Sequence, residues 1–132
     1  MGQHDLLLRV LVVDDEPLAL DITARLLKDV GFDVSTATSA KEALALIGRS
    51  DPAVHLVLTD VVMPETDGHT LGRLIGKRHP KIPALYMSVY SKDEILPPAA
   101  LGQAPPFIRK PFTSLALVAA IQSLLGKPCV PS

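Results

Sequence analysis

Five short apolar runs, LRVLVV (8–13), FDVSTA (32–37), VHLVLT (54–59), PALYM (83–87) and PFIRK (106–110), alternate with segments of helical period. This alternation restricts the fold more than any other property of the chain. Near-continuous runs such as LRVLVV and VHLVLT suit strands covered on both faces, and strands separated by helices pair in parallel through right-handed crossovers. The helical segments carry their own punctuation. Pro17 suits a first helical turn, Ala19, Ile22, Leu26 and Val30 repeat at helical spacing, and Gly31 closes that helix. Ser39 and Glu42 make a capping-box pair. The helix after the third run presents Leu71, Leu74 and Ile75 on one face and stops before Pro80. Ser91 and Glu94 open a fourth helix that Pro97 cuts short, and the last helix runs from a Thr113 cap to Gly126.

Length and charge exclude several function classes. The 132 residues suit one compact domain with a real core, and a formal net charge of −1 gives no basic surface for nucleic acid. The lone Cys129 can form neither an internal disulfide nor a cysteine metal site. His4, His55, His69 and His79 show no ligand spacing. No apolar stretch reaches membrane-spanning length, and DLLLRVLVV is interrupted by Arg9 and followed by aspartates, unlike a signal peptide. A cytoplasmic chain without membrane contact is expected.

The strand ends carry the chemistry. Open parallel sheets bind ligands beyond the carboxyl ends of their strands. Here those ends read Asp14-Asp15, Asp60, Ser88 and Lys110, and strand two contributes only small residues. Carboxylates converging in one crevice repel each other unless a cation joins them, and hard oxygen donors select a hard divalent ion such as Mg²⁺. Lys110 adds a positive charge and Ser88 a hydroxyl. Metal, ammonium and hydroxyl would stabilise three phosphoryl oxygens, which leaves Asp60 as the nucleophile.

The set Asp14-Asp15, Asp60 with Met63-Pro64 and Asp67-Gly68, Ser88, and Lys110-Pro111 closely resembles the receiver domain of bacterial two-component response regulators. Each motif alone is weak; all of them in order at strand ends are specific. The resemblance implies a flavodoxin-like, doubly wound five-stranded parallel sheet, order 2-1-3-4-5, with five helices, the fourth short. The receiver would occupy 8–126, with 127–132 as a loose tail. It further implies that Asp60 accepts a phosphoryl group from a phosphohistidine of a histidine kinase or phosphotransfer protein. Asp15, Asp60 and the backbone carbonyl of Val62 would bind Mg²⁺, with Mn²⁺ as a substitute, and Asp14 would act mainly through water. Ser88 and Lys110 would hold the phosphoryl oxygens, Ser88 and Phe107 would switch, and Lys110-Pro111 would be cis. No turnover of an external substrate is implied.

Some features depart from the common pattern. Val89 replaces the usual small residue after Ser88 and would crowd the path to Asp60. Phe107 lacks the hydroxyl of the common tyrosine. The short fourth helix, MSVY and FIRKPF are similar to receivers fused to hybrid histidine kinases. With no helix-turn-helix pattern present, readout by protein contact or phosphoryl relay is expected, from a free regulator or a receiver excised from a larger kinase. Two rivals remain. A pseudo-receiver would bind partners without phosphorylation. A haloacid-dehalogenase-type phosphatase would need Asp-x-Asp after strand one, where this chain has Asp14-Asp15-Glu16-Pro17.

Overall fold

The computed structural model describes residues 8–49, 54–63, 68–89 and 106–125. The strands are β1 (Arg9–Val13), β2 (Asp33–Ala37), β3 (Leu56–Asp60), β4 (Ala84–Ser88) and β5 (Phe107–Arg109). All pair in parallel, as the alternation implies, in the order β2-β1-β3-β4-β5, which is the flavodoxin-like sheet that the receiver resemblance implies. The helices among the described residues are α1 (Pro17–Asp29), α2 (Ala40–Arg49), α3 (Gly68–Arg78) and α4 (Ser114–Leu125). The short helix expected from Ser91, the Met63-Pro64 and Asp67-Gly68 turns as whole units, Gly126 and the tail lie outside the described residues.

Two cores, one on each sheet face, explain why the strands are apolar almost without interruption. Val10, Val12, Leu58 and Met87 pack with Leu20 and Leu27 of α1 and Leu117 and Ile121 of α4. Leu11, Val13 and Val57 pack with Ala43 and Ile47 of α2 and Leu71 and Ile75 of α3. Successive strand residues point to opposite faces, so each run needs apolar residues at every position. Leu27 is fully buried, and its truncation to alanine would cost about 2–5 kcal/mol.

The helix ends follow the sequence closely. The Ser39 hydroxyl accepts the Glu42 N–H at 3.1 Å, while the Glu42 carboxylate accepts the Thr38 N–H at 2.6 Å, one residue before the expected partner. The Thr113 hydroxyl accepts the Ala116 N–H at 3.1 Å. Gly31 follows α1 with φ 104°. The spacing of Ala19, Ile22, Leu26 and Val30 marks a helix, and α1 is one. Its buried residues are Leu20, Thr23, Ala24 and Leu27; Leu26 and Val30 are partly buried against the same core, whereas Ile22 is 56% exposed.

The ladder continues past several strand ends, and this continuation holds the edge in place. Asp14 donates its N–H to the Ala37 carbonyl at 3.1 Å, Val61 to Met87 at 3.1 Å, and Lys110 to Ser88 at 2.8 Å. Candidate site residues therefore sit at or beside backbone that is still paired.

Candidate functional site

β1, β3 and the end of β5 deliver side chains to one crevice. Asp14, Asp15 and Asp60 each offer a carboxylate oxygen, and these oxygens lie within 4.8 Å of one another. Lys110 Nζ lies 3.0 Å from Asp14 Oδ2 and 3.9 Å from Asp60 Oδ2. Asp14 is 1% exposed and has both oxygens engaged: Oδ1 accepts the Glu16 N–H at 3.0 Å, and Oδ2 accepts from Lys110. Asp15 is exposed, and Asp60 is partly buried.

This inequality divides the three carboxylates by role. Asp14 is occupied as the counter-ion of Lys110. Asp15 and Asp60 keep oxygens that face the crevice, so the donor set fits a hard divalent cation with neighbouring water. Burial raises the pKa of Asp60 above the ordinary carboxylate value. Lys110 opposes that rise, Asp14 adds to it, the Val62 backbone N–H opposes it by hydrogen bonding, and Asp15 adds to it. Asp60 is thus a partly buried carboxylate without a close counter-ion of its own, and a cation would relieve it.

Ser88 closes β4 and is 2% exposed. In register it lies opposite Arg109, and its carbonyl accepts the Lys110 N–H. The Lys110-Pro111 bond is cis. Phe107 is half-buried at the start of β5, where it packs with Val61 and Tyr86 rather than joining the carboxylates. Val89 is 57% exposed and lies on a rim. It helps line a groove of about 270 Å³ with Ala19, Ile22, Leu26, Lys110 and Phe112. Lys110 thus belongs to both the groove and the acidic crevice.

Three contributors escape a reading of side-chain types. The Val62 N–H and the Glu16 N–H act through backbone, which no residue name reveals. Gly68 is the third. A Cβ at that position would collide with the Asp60 carbonyl oxygen, and the Gly68 N–H donates to the Val61 carbonyl at 2.8 Å. The Asp-Gly pair signals a turn, but not this close approach of α3 to the end of β3.

A family model described as "Response regulator receiver domain" matches residues 10–122. The sensor kinase CckA of Brucella abortus is 35% identical over 118 residues, 89% of this chain but only 12% of that protein. A protein of Leptolyngbya boryana described as an uncharacterized 14.6 kDa protein is 37% identical over 117 residues, 86% of each chain. The crystal structure of a response regulator receiver domain protein from Clostridium thermocellum superposes with a TM-score of 0.79 at 29% identity, over 91% of this chain and 95% of that one. Sheet order, acidic crevice and sequence match agree: this chain belongs to the response regulator receiver domain family of two-component signalling.

Proposed function

We propose that Asp60 accepts a phosphoryl group from a phosphohistidine in a Mg²⁺-dependent reaction. The observation that carries this reading is the partly buried Asp60 carboxylate beside two further aspartates, with a single ammonium 3.9 Å away. An ionised Asp60 oxygen attacks phosphorus, the P–O bond forms, and the P–N bond to the imidazole breaks. The electron pair leaves on the histidine nitrogen. Asp15, Asp60 and the Val62 carbonyl would hold the cation, with Asp14 acting through water. Bound Mg²⁺ would supply charge neutralisation and Lewis-acid polarisation of the phosphoryl group.

The chain's own residues do the remaining work. Lys110 neutralises Asp14 in the resting state and turns toward the new phosphoryl oxygens as negative charge builds at Asp60. Ser88 supplies its hydroxyl to another oxygen, and its movement biases the packing of Phe107. The Val62 N–H steadies the ionised acceptor. Each chain is phosphorylated once, so the protein is a substrate and a self-catalyst rather than a turnover enzyme. The donor would be a helix of a histidine kinase or phosphotransfer protein seated in the groove beside Lys110. Ile22 and Val89 line that groove and are 56% and 57% exposed, which supports an apolar partner face next to the acceptor.

Intact mass after incubation with Mg²⁺ and a small phosphodonor tests the reading. One added phosphoryl group is expected, lost without metal and in Asp60→Ala. If a small donor fails, a phosphorylated histidine protein must still deliver the group. Failure of both donors overturns the proposal in favour of a pseudo-receiver.

A further inference from the structure

The helix α3 touches the acceptor site at two places where only glycine fits. Gly68 abuts the Asp60 carbonyl, and a Cβ at Gly72 would collide with the Tyr86 hydroxyl. Tyr86 is 6% exposed and stands two residues before Ser88, on the same face of β4. One helix therefore meets the backbone of β3 directly and meets β4 through the Tyr86 side chain, with no side chain of its own between. Tight packing of this kind transmits small displacements rather than absorbing them.

The outer face of the same helix is unusual in charge. Residues 68–81 hold Arg73, Lys77, Arg78 and Lys81 and no aspartate or glutamate, in a chain whose net charge is −1. All four are exposed, and none has an ion-pair partner among the described residues. The helix dipole accounts for Lys77 and Arg78 in the last turn. It does not account for Arg73 at mid-helix, which repels Lys77 four residues on. Thr70, Arg73, Leu74, Gly76 and Lys77 line a groove of about 340 Å³ on this face. A Cβ at Gly76 would meet nothing within 4 Å, so the floor of that groove is open to a visitor.

We propose that the exposed face of α3 docks an acidic segment of a protein partner, and that the state of Asp60 sets its affinity; the second half rests on the phosphoacceptor reading above. Charge complementarity selects the occupant, with Arg73 and Lys77 facing carboxylates spaced along a helix. A nucleic acid fits less well. Its extended phosphate charge would meet the field of Asp14, Asp15, Glu16 and Asp60 at the N-terminal end of α3.

The test uses the full chain and a labelled helical peptide bearing glutamates four residues apart, with binding read by fluorescence anisotropy. The expected result is binding by the wild type, weakened roughly tenfold or more in Arg73→Glu/Lys77→Glu. Both positions are exposed, and circular dichroism checks that the double variant keeps its fold. Equal binding by wild type and variant overturns the surface, as does tighter binding of duplex DNA than of peptide. In the coupling arm the phosphodonor-treated chain should differ from the untreated chain by about fivefold or more, with no change in Asp60→Ala. Unchanged affinity in a sample whose mass shows the added phosphoryl group overturns the coupling. If neither a small phosphodonor nor a phosphorylated histidine protein adds a phosphoryl group, the function proposed above fails, and the charge-reversal arm still decides the surface.

Discussion

The sheet has an ion cluster at each end, and the two differ in kind. At the amino end, Arg9 meets Asp33: Nη2 lies 2.7 Å and Nε 3.0 Å from the same carboxylate oxygen. Among the described residues this ion pair joins one cation to one anion, and the Asp33 side chain is 42% exposed. At the carboxyl end a single ammonium faces three carboxylates, one of which, Asp14, is almost fully buried. The first cluster is balanced and wet, as structural ion pairs usually are. The second is short of positive charge, and its carboxylates range from exposed Asp15 to Asp14, which water hardly reaches. Folding alone would not favour such an imbalance, which is the observation behind the proposal of a cation and a phosphoryl group at this end.

The contrast is open to direct attack, beginning at Lys110. Replacement by methionine should slow phosphoryl addition by about 100-fold or more, read by timed intact mass. It should also cost about 3 kcal/mol of stability in urea unfolding, because buried Asp14 loses its counter-ion. Mg²⁺ is the next probe. At a concentration one hundred times its dissociation constant it should stabilise the wild type by about 2.7 kcal/mol. That gain should shrink in Asp15→Asn and persist in Asp33→Asn; a gain equal in all three would erase the distinction between the ends.

The pH dependence of Asp60 is a smaller effect with a definite sign. Its native pKa is raised mainly by burial, so the native chain holds that proton more tightly than the unfolded chain. Stability contributed by the protonated acid is lost as pH rises from the ordinary carboxylate value through the raised one. Metal-free Asp60→Asn should therefore melt a few degrees above wild type at neutral pH. The two curves should converge in acid below the ordinary carboxylate range, and a difference that grows in acid would refute the sign. The smallest effect belongs to the amino end. Asp33→Asn should cost about 1 kcal/mol or less, and still less in high salt.

Much of this molecule was legible without coordinates. Apolar runs covered on both faces, the Ser39 and Thr113 caps and the turn at Gly31 are local statements, and each is visible in a few neighbouring residues. The residues of the site were legible for a related reason. In a parallel sheet the strand ends gather at one edge, so Asp14, Asp15, Asp60 and Lys110, which the fold brings together, could be assembled from order alone. Burial within α1 was less legible, because Thr23 is polar by name and buried in fact.

What the sequence determined by itself was therefore the inventory: a parallel α/β sheet and the charged groups set along its carboxyl edge. Tertiary structure alone decided their division of labour. Which carboxylate pairs with Lys110, which keeps an oxygen for a cation, and which backbone N–H steadies the acceptor depend on distances of about a hydrogen-bond length between segments far apart in the chain. The same holds for α3, whose glycines 68 and 72 read as helix weaknesses until the Asp60 carbonyl and the Tyr86 ring are seen to need their space. Residue type sets what a side chain can do, and burial and neighbours set which of those things it does.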